Sequence, residues 1–390
     1  MQPCSSVTPT ISYVGVDDTD LGLFENQYPV PTGISYNSYI IKGEKIALLD
    51  TVDSRRTEEW SALVSDVLYG SEPDYLVVLH MEPDHSSDIA RTLLRYPGLK
   101  LVASRKALDM IPQFFEGIDL TGRSIAVKEG DTLDLGGRTL TFFNAPMVHW
   151  PEVVIAFDSL DKVLFTADAF GTFGALSYGQ TDWTIQARRY YTNIVGKYGP
   201  QVQTLLKKVA TLDIKAIAPL HGPILKDNLS QYIDLYNKWS TYTPETQGVL
   251  VAYASVYGGT EQAALRLADM IRAEGKYEVA TIDLCRQDVS EAVAQAFRMS
   301  TLALASVTYD GALFPAMHHF LYHLRIKGLR NRRVGLIENG SWAPVAAKAM
   351  REMLGQMPGM EIVEPVVTIR SRMHTTDTPT LAALAASLTA

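Results

Sequence analysis

The segment HMEPDH at residues 80–85 directly follows a short apolar run, YLVVL at residues 75–79. Such a run, bounded by polar residues, is typical of a buried strand, so the polar segment begins where that strand ends. If the backbone stays extended, alternation points the side chains of His80, Glu82 and Asp84 the same way, and His85 comes from the next turn. Imidazole and carboxylate groups gathered at one strand end indicate a metal site.

Three more candidate ligands stand in separate downstream motifs: His149 in APMVHWPE, Asp168 in LFTADAFG and His221 in IAPLHGP. Before residue 245 the chain has no histidine outside these contexts. The candidates exceed the four ligands of one tetrahedral zinc ion. If one carboxylate bridges, two metal ions each receive about four protein ligands and keep open positions. Zinc and manganese accept such a mixed set, but open positions favour redox-active iron.

The hydrophobic pattern divides the 390-residue chain in two. Up to about residue 240, short strands joined by hairpins alternate with helices, which predicts two sheets flanked by helices. The polar segment 240–248 contains Pro and Gly and is typical of a linker. Beyond it, five strands alternate with five helices, which predicts a doubly wound parallel sheet whose last strand is Ile362–Ile369. The predicted domains are residues 1–247 and 248–390.

Three loops of the second domain follow predicted strands and indicate a cofactor site. A Gly-rich turn with hydroxyl groups at a helix N-terminus can bind an anion, and ligands of this topology bind beyond the carboxyl ends of the strands. Two aromatic side chains could cover a flavin ring. The predicted cofactor-binding residues are Ser255, Val256, Tyr257, Gly258, Gly259, Thr260, Ser306, Val307, Thr308, Tyr309, Asp310, Gly311, Asn339, Gly340, Ser341 and Trp342.

Charge and composition exclude several classes of protein. A net charge of -8 argues against nucleic acid or an anionic membrane as a partner. Two cysteines, Cys4 and Cys285, cannot hold a rubredoxin-like or iron–sulfur centre within the chain. The amino terminus does not resemble a signal peptide, and no apolar stretch reaches the roughly 18 residues of a membrane helix. We therefore expect a soluble, cytoplasmic protein.

The spacing H-x-E-x-D-H with distant His, Asp and His resembles the metallo-β-lactamase fold, whose hydrolases carry H-x-H-x-D-H. Glu82 stands in place of the second histidine, as in the flavodiiron proteins (A-type flavoproteins). PTGISYNSY, ARRYY and LFTADAFG extend the resemblance across most of the chain. It implies an α+β metallo-β-lactamase-like αββα sandwich followed by an α/β flavodoxin-like doubly wound parallel sheet.

Carried over residue by residue, the resemblance implies two non-haem iron ions. It places His80, Glu82 and His149 on one, places Asp84, His85 and His221 on the other, and makes Asp168 the bridge. Tyr190 and Tyr191 are candidate catalytic hydroxyls, although at least one is expected only to pack. Many members also carry a histidine in an early loop that shields the site. The matching stretch here, LFENQY at residues 23–28, has none.

The turn SVYGGTE at residues 255–261 resembles the flavodoxin phosphate loop and implies FMN, with Tyr257 where Thr or Trp is usual. The family implies reduction of dioxygen to water or of nitric oxide to nitrous oxide, with electrons from rubredoxin or a similar small donor. Since the chain ends after this domain, the donor is expected to be a separate protein. The family also implies a head-to-tail homodimer, or a dimer of such dimers.

The residues leave some choices open. Neither dioxygen nor nitric oxide is favoured as the substrate. A dinuclear zinc hydrolase fused to a flavodoxin-like domain is the main alternative, and Glu82 argues against it. A pure electron carrier with a degenerate first domain is disfavoured by the seven intact ligands.

Overall fold

The computed structural model describes residues 5–179 and 182–390, which leaves Cys4 outside the described part. The chain forms two compact units, one extending to Tyr191 and including Pro200–Asn237, the other made of Thr192–Gly199 and Lys238–Ala390. The boundary after residue 247 stays a prediction. Within the described ranges, each helix is too short or too polar to cross a lipid bilayer.

Short strands dominate the first unit, as the sequence predicts. In chain order they are β1 (Ser5–Thr8), β2 (Ile11–Tyr13), β3 (Val16–Asp18), β4 (Leu23–Phe24), β5 (Tyr28–Pro29), β6 (Ile34–Tyr36), β7 (Tyr39–Lys42), β8 (Ile46–Leu49), β9 (Tyr75–Val78), β10 (Lys100–Ser104), β11 (Ser124–Val127), β12 (Thr132–Asp134), β13 (Thr139–Asn144), β14 (Val154–Asp158), β15 (Val163–Phe165) and β16 (Ala216–Ala218). The helices up to residue 240 are α1 (Thr57–Leu68), α2 (Pro83–Ser86), α3 (Ile89–Arg95), α4 (Arg105–Phe114), α5 (Trp183–Ile194), α6 (Gly199–Val209) and α7 (Leu229–Ser240).

Two sheets form the core of this unit. One has the strand order β1-β2-β7-β8-β9-β10-β11, antiparallel up to β8 and parallel from β8 to β11, and the other has the order β12-β13-β14-β15-β16. The ring of Tyr39 on β7 packs edge-on against Phe165 on β15 at 5.2 Å between centroids, which joins the two sheets. Strands buried on both faces read as continuous apolar runs, and this is why YLVVL is so informative. The predicted α+β sandwich is confirmed.

The second unit contains β17 (Thr246–Ala254), α8 (Gly259–Ala273), β18 (Glu278–Asp283), α9 (Val289–Arg298), β19 (Met299–Tyr309), β20 (Ala312–Leu313), α10 (Pro315–Ile326), β21 (Arg333–Asn339), α11 (Ala346–Leu354), β22 (Glu361–Ile362), β23 (Val367–Ile369) and α12 (Thr378–Leu388). Strands run in the order β18-β17-β19-β21, and both β22 and β23 pair with β21 in parallel. Apolar residues fill both faces of this sheet. The predicted doubly wound parallel sheet is confirmed.

Two details differ from the sequence-based expectation. The last strand is two short segments, β22 and β23, rather than one, because Pro365 between them has no amide to donate to the ladder. Strand β17 begins at Thr246, inside the predicted linker. A ladder with β19 extends to this residue, which pairs with Met299, so tertiary pairing overrides the polar local sequence.

Candidate metal centre and cofactor loops

Strand ends bring the seven candidate ligands to one region of the first unit. His80 and Glu82 follow β9, Asp168 follows β15, and His221 follows β16. His149 lies in the loop between the antiparallel strands β13 and β14. All seven side chains are buried or nearly so. Because β9 lies in one sheet and β13 to β16 lie in the other, packing of the two sheets brings residues far apart in sequence to one region.

Alternation along the segment HMEPDH ends at Glu82 rather than continuing to Asp84. Helix α2 begins at Pro83, and Glu82 takes the N-cap position with extended backbone angles. Proline suits the first position of a helix because its fixed φ is helical and no amide is needed there. The turn therefore sends Asp84 and His85 away from His80 and Glu82. This local change of backbone creates two groups of ligands instead of one row.

The first group consists of His80, Glu82 and His149. Oε2 of Glu82 lies 3.0 Å from Nε2 of His149 and 3.3 Å from Nε2 of His80. Oδ2 of Asp168 lies 3.0 Å from Nε2 of His149 and 3.6 Å from Nε2 of His80. These ligand atoms lie within 4.8 Å of one another, close enough for a single metal ion.

The second group consists of Asp84, His85 and His221. The Nε2 atoms of the two histidines are 3.0 Å apart, and Oδ2 of Asp84 lies 3.3 Å from that of His221. The other oxygen of Asp168, Oδ1, lies 3.2 Å from Nε2 of His85. Asp168 thus turns one carboxylate oxygen to each group, which is the geometry of a bridging ligand.

Three further residues orient the ligands, and the sequence reading missed them. Oε1 of Glu152 accepts a hydrogen bond from Nδ1 of His80 at 2.8 Å, and the carbonyl oxygen of Ser35 accepts one from Nδ1 of His221 at 2.7 Å. Such bonds fix the tautomer that leaves Nε2 free for a metal. Asp50 at the end of β8 accepts the amide of Leu79 at 2.8 Å and supports the loop that carries the ligands.

Charges within the cluster depend strongly on one another. Burial opposes ionisation of Glu82 and Asp168, but contacts with the imidazoles hold the pKa of both carboxyls below the usual range. Burial likewise disfavours the charged form of His149, yet hydrogen bonds to Asp168 and Glu82 raise its pKa to about 9. Burial also opposes protonation of His80, but the nearby carboxylates raise its pKa, so the protonated forms of His80 and His149 are favoured when no metal is bound. Metal ions would release these protons on binding.

Several buried polar atoms of the cluster lack hydrogen-bond partners in the described parts of the chain, which fits two bound metal ions. Among the described residues, both carboxylate oxygens of Asp84, Oδ1 of Asp168 and Nδ1 of His85 are buried without a hydrogen-bond partner. Buried polar atoms without partners are rare and call for an explanation such as an ion. The oxygens lie close to imidazole nitrogens but outside hydrogen-bonding geometry. Four imidazoles and three carboxylates form a set that suits iron in two sites.

Tyr190 and Tyr191 lie in different surroundings on α5. The ring of Tyr190 packs against Phe24, Phe173 and His221, at 5.4 Å between centroids for His221. Burial and the charges of the nearby carboxylates raise the pKa of Tyr190, so its hydroxyl stays protonated. Tyr191 packs edge-on against Tyr236 instead. Tyr190 therefore packs against a candidate ligand, His221. The catalytic role of either hydroxyl stays a prediction.

A cavity of about 290 Å³ leads from the surface to Glu82 and Asp84. Its other lining residues are Leu21, Leu23, Phe24, Glu25, Asn26, Tyr36, Asp53, Arg55 and Pro83. The early loop that lacks a histidine is the hairpin between β4 and β5, and Phe24 covers His221 edge-on at 5.5 Å between ring centroids. An aromatic ring therefore shields the cluster on this side.

The predicted cofactor loops lie at the carboxyl ends of the parallel strands β17, β19 and β21. Tyr257 and Trp342 are 93% and 89% exposed and Tyr309 is 46% exposed, so three aromatic rings are accessible at this edge. The hydroxyl of Ser255 accepts the amide of Gly258 at 3.1 Å and shapes the turn before α8. An anion-binding turn and exposed aromatic rings fit the phosphate and the ring of FMN.

Several predicted flavin residues also serve the fold. Ser306, Thr260 and Asn339 are buried, and Nδ2 of Asn339 donates to Oγ1 of Thr260 at 3.2 Å. The hydroxyl of Thr308 accepts the amides of Val345 and Ala346 at 2.9 and 3.2 Å. These hydroxyl and amide groups hold neighbouring loops together, whether or not they also contact a ligand.

A fourth loop, residues 370–372 after β23, completes this edge and was not predicted. Ser371 exchanges two backbone hydrogen bonds with the side chain of Asn339, each 3.0 Å long. A Cβ on Gly259 would lie 2.0 Å from the carbonyl oxygen of Ser371, so this loop presses directly on the Gly-rich turn. No local pattern signals such a long-range approach.

Comparison with known proteins shows similarity in both sequence and fold. A family profile described as "ODP family beta lactamase" matches residues 34–222. A "Putative diflavin flavoprotein A 1" from a Nostoc species is 30% identical over 378 residues, or 92% of this chain and 62% of that protein. An "Anaerobic nitric oxide reductase flavorubredoxin" from Aeromonas hydrophila is 28% identical over 359 residues, or 89% of this chain and 72% of that protein.

Similarity of structure extends over the whole chain. The rubredoxin oxygen:oxidoreductase of Desulfovibrio gigas superposes with a TM-score of 0.92 at 25% identity, covering 99% of this chain and 98% of that one. These matches extend across both units. Over nearly its whole length the chain is similar to flavodiiron proteins, and its ligand cluster and cofactor loops fit the non-haem diiron centre and the FMN of such oxidoreductases.

Proposed function

We propose that this protein is a terminal reductase that converts dioxygen to water, nitric oxide to nitrous oxide, or both. The observation that carries the proposal is the position of Asp168, whose two oxygens lie 3.0 and 3.2 Å from imidazoles of different ligand groups. A dinuclear redox centre needs such a bridge. The relatives from Aeromonas hydrophila and Desulfovibrio gigas, named for nitric oxide and for oxygen, support both substrates.

We infer that His80, Glu82 and His149 hold one iron, that Asp84, His85 and His221 hold the other, and that Asp168 bridges. The irons would supply electrons and open positions for the gas. The protein's part is to position them. Glu152 and Ser35 fix the imidazole tautomers, and Phe24 with Leu23 forms an apolar wall along the cavity. A narrow, partly apolar path suits an uncharged diatomic gas.

FMN is proposed to occupy the loops after β17, β19 and β21, with its phosphate on the turn at residues 255–260. Helix α8 begins there, and its free amides favour a negative charge. The electron donor is proposed to be rubredoxin or a similar small redox protein, as the name of the Desulfovibrio gigas protein suggests. The domain boundary after residue 247 and the cytoplasmic location are retained as predictions.

Metal content distinguishes the reductase from a zinc hydrolase. Protein purified from its native source is expected to hold about two irons per chain, because mixed imidazole and carboxylate ligands with open positions suit iron. With FMN reduced under anaerobic conditions, it is expected to consume dioxygen or nitric oxide when each gas is added in turn. The finding of two zinc ions per chain, no iron and no gas consumption would contradict the reductase proposal and favour the zinc hydrolase.

We also propose the head-to-tail homodimer, in which the flavin of one chain serves the irons of the other. Two variants test this arrangement at an FMN concentration that fills the wild-type site but leaves a weakened site largely empty. They are Asp168→Ala, which removes the bridge, and Gly259→Ala, which crowds the Gly-rich turn. Unfolded and refolded together in equal amounts, they should recover about a quarter of wild-type turnover. Random pairing makes about half of the dimers mixed, and each mixed dimer has one complete site of two.

Each variant refolded alone serves as the control and should stay inactive. If the mixture also stays inactive although mixed dimers have formed, each chain must use its own flavin, and the head-to-tail proposal is wrong.

A further inference from the structure

Helix α10 carries a histidine pair that belongs to neither cofactor site. His319 and His323 are four residues apart, so they lie on the same side of the helix one turn apart. Their Nε2 atoms are 2.9 Å from each other. His318, the next residue in the chain, points about 100° away around the helix axis. The pair therefore presents two nitrogen atoms to one point.

This spacing is close to that of two proposed iron ligands. The Nε2 atoms of His85 and His221 are 3.0 Å apart in the diiron cluster. Two nitrogens that bind one ion at about 2.0–2.1 Å and at a right angle are about 2.8–3.0 Å apart. The pair on α10 thus fits adjacent positions of a square-planar or octahedral complex. Imidazole nitrogens in such geometry suit Cu²⁺ and Ni²⁺.

A hydrogen bond between the two rings is the simplest alternative explanation of this distance. It would still leave one ring nitrogen of His323 without a partner in the described part of the chain. His323 is 3% exposed, and its Nδ1 has no hydrogen-bond partner among the residues that the structure describes. His85 in the diiron cluster has the same unpaired Nδ1. Because no described residue fixes the proton on Nδ1, the tautomer of His323 is not set by the protein and Nε2 can carry the lone pair that a metal needs.

Neutral imidazole offers a lone pair, which an imidazolium ion cannot, and it is the commonest protein ligand of transition metals.

Room for an ion and its solvent ligands lies beside His319. This exposed residue lines an open cavity of about 590 Å³ together with Leu284, Cys285, Phe314, Pro315 and Ala316. The thiol of Cys285 is exposed at the same cavity. Water can therefore complete the coordination of a metal held by the two histidines.

We propose that His319 and His323 form a binding site for one divalent transition-metal ion, of the Cu²⁺ or Ni²⁺ type, on helix α10. The ion would join two successive turns of the helix and bind only the folded unit, so it would also stabilise that unit. This site is separate from the diiron cluster, because all its ligands lie on a helix of the second unit.

Titration of the FMN- and iron-loaded protein with Ni²⁺ in a calorimeter tests the proposal. Cys4 and Cys285 are first replaced by serine, so that neither thiol competes for the metal. One Ni²⁺ per chain is expected to bind, and iron content measured afterwards should be unchanged. His319→Gln is expected to weaken this binding at least about tenfold, because one of two ligands is lost. His319 is exposed, so its loss should not disturb the fold.

His318→Gln is the matched control, since it removes a histidine of the same helix that points elsewhere. It should bind Ni²⁺ as the parent protein does. A second measurement is the melting temperature, which Ni²⁺ should raise more in the control than in His319→Gln. The proposal is overturned if no Ni²⁺ binds, if Ni²⁺ binds only by displacing iron, or if His319→Gln binds it as tightly as the control.

Discussion

Replacement of Asp168 with alanine is expected to lower the rate of dioxygen or nitric oxide reduction more than about a hundredfold while FMN stays bound. Loss of residues that merely orient metal ligands costs about 10–100-fold in metal affinity or activity, and Asp168 is placed to contact both metals. Its two oxygens face the two ligand groups, so alanine removes a ligand from each. The other six ligands cannot replace a bridge.

Iron content, flavin absorbance and gas consumption measured on the same preparation check this expectation. Asp66→Ala removes a carboxylate from an exposed position of α1 and should keep all three quantities at the wild-type level. Circular dichroism establishes that both variants are folded. Wild-type turnover in folded Asp168→Ala would show that Asp168 does not bridge the metals.

Gly259→Ala is expected to have the complementary effect: FMN affinity falls about tenfold or more, and the irons stay bound. The added Cβ would lie 2.0 Å from the backbone oxygen of Ser371, which cannot rotate away as a side chain would. Overpacking of this kind costs about 1–3 kcal/mol, and each 1.4 kcal/mol corresponds to about tenfold in affinity. The distortion falls on the turn proposed to hold the phosphate.

Flavin fluorescence during FMN titration measures the affinity, and metal analysis measures the iron. Gly355→Ala is the control, because Gly355 follows α11 with ordinary helical backbone angles and its nearest contact would be 3.3 Å. This variant should bind FMN normally. Unchanged FMN affinity in Gly259→Ala would mean that the loop at residues 370–372 moves easily to accommodate the added methyl group, or that the flavin does not bind at this turn.

Local patterns predicted much of the fold and of the candidate metal site. YLVVL reads as a strand because a strand buried on both faces has no polar side, and five such strands alternating with helices can form few other topologies. The ligands could be found because four histidines and three carboxylates recur beside such strands. Their division into two groups agrees with the resemblance, although Pro83 rather than continued alternation produces it.

Residues that act through a long-range contact escaped prediction. Asp50 and Glu152 are single carboxylates among 43 acidic residues, and only their position beside His80 gives them a role. Their signals were weak but present: an aspartate directly after the apolar run IALL, and a glutamate three residues after His149 in a quoted motif. Ser371 had no signal, because nothing local shows which backbone approaches Gly259.

By itself, the sequence determined the two kinds of fold and singled out the seven candidate ligands and a candidate turn for a cofactor phosphate. These depend on side-chain period, residue type and glycine, all of which act over a few neighbouring residues. Only the tertiary structure decided which oxygen of Asp168 faces which histidines and which groups orient the imidazoles. Such distances arise when strands and loops distant in sequence pack together, or when side chains settle into one rotamer. Packing of the whole chain sets them, and no short pattern records it.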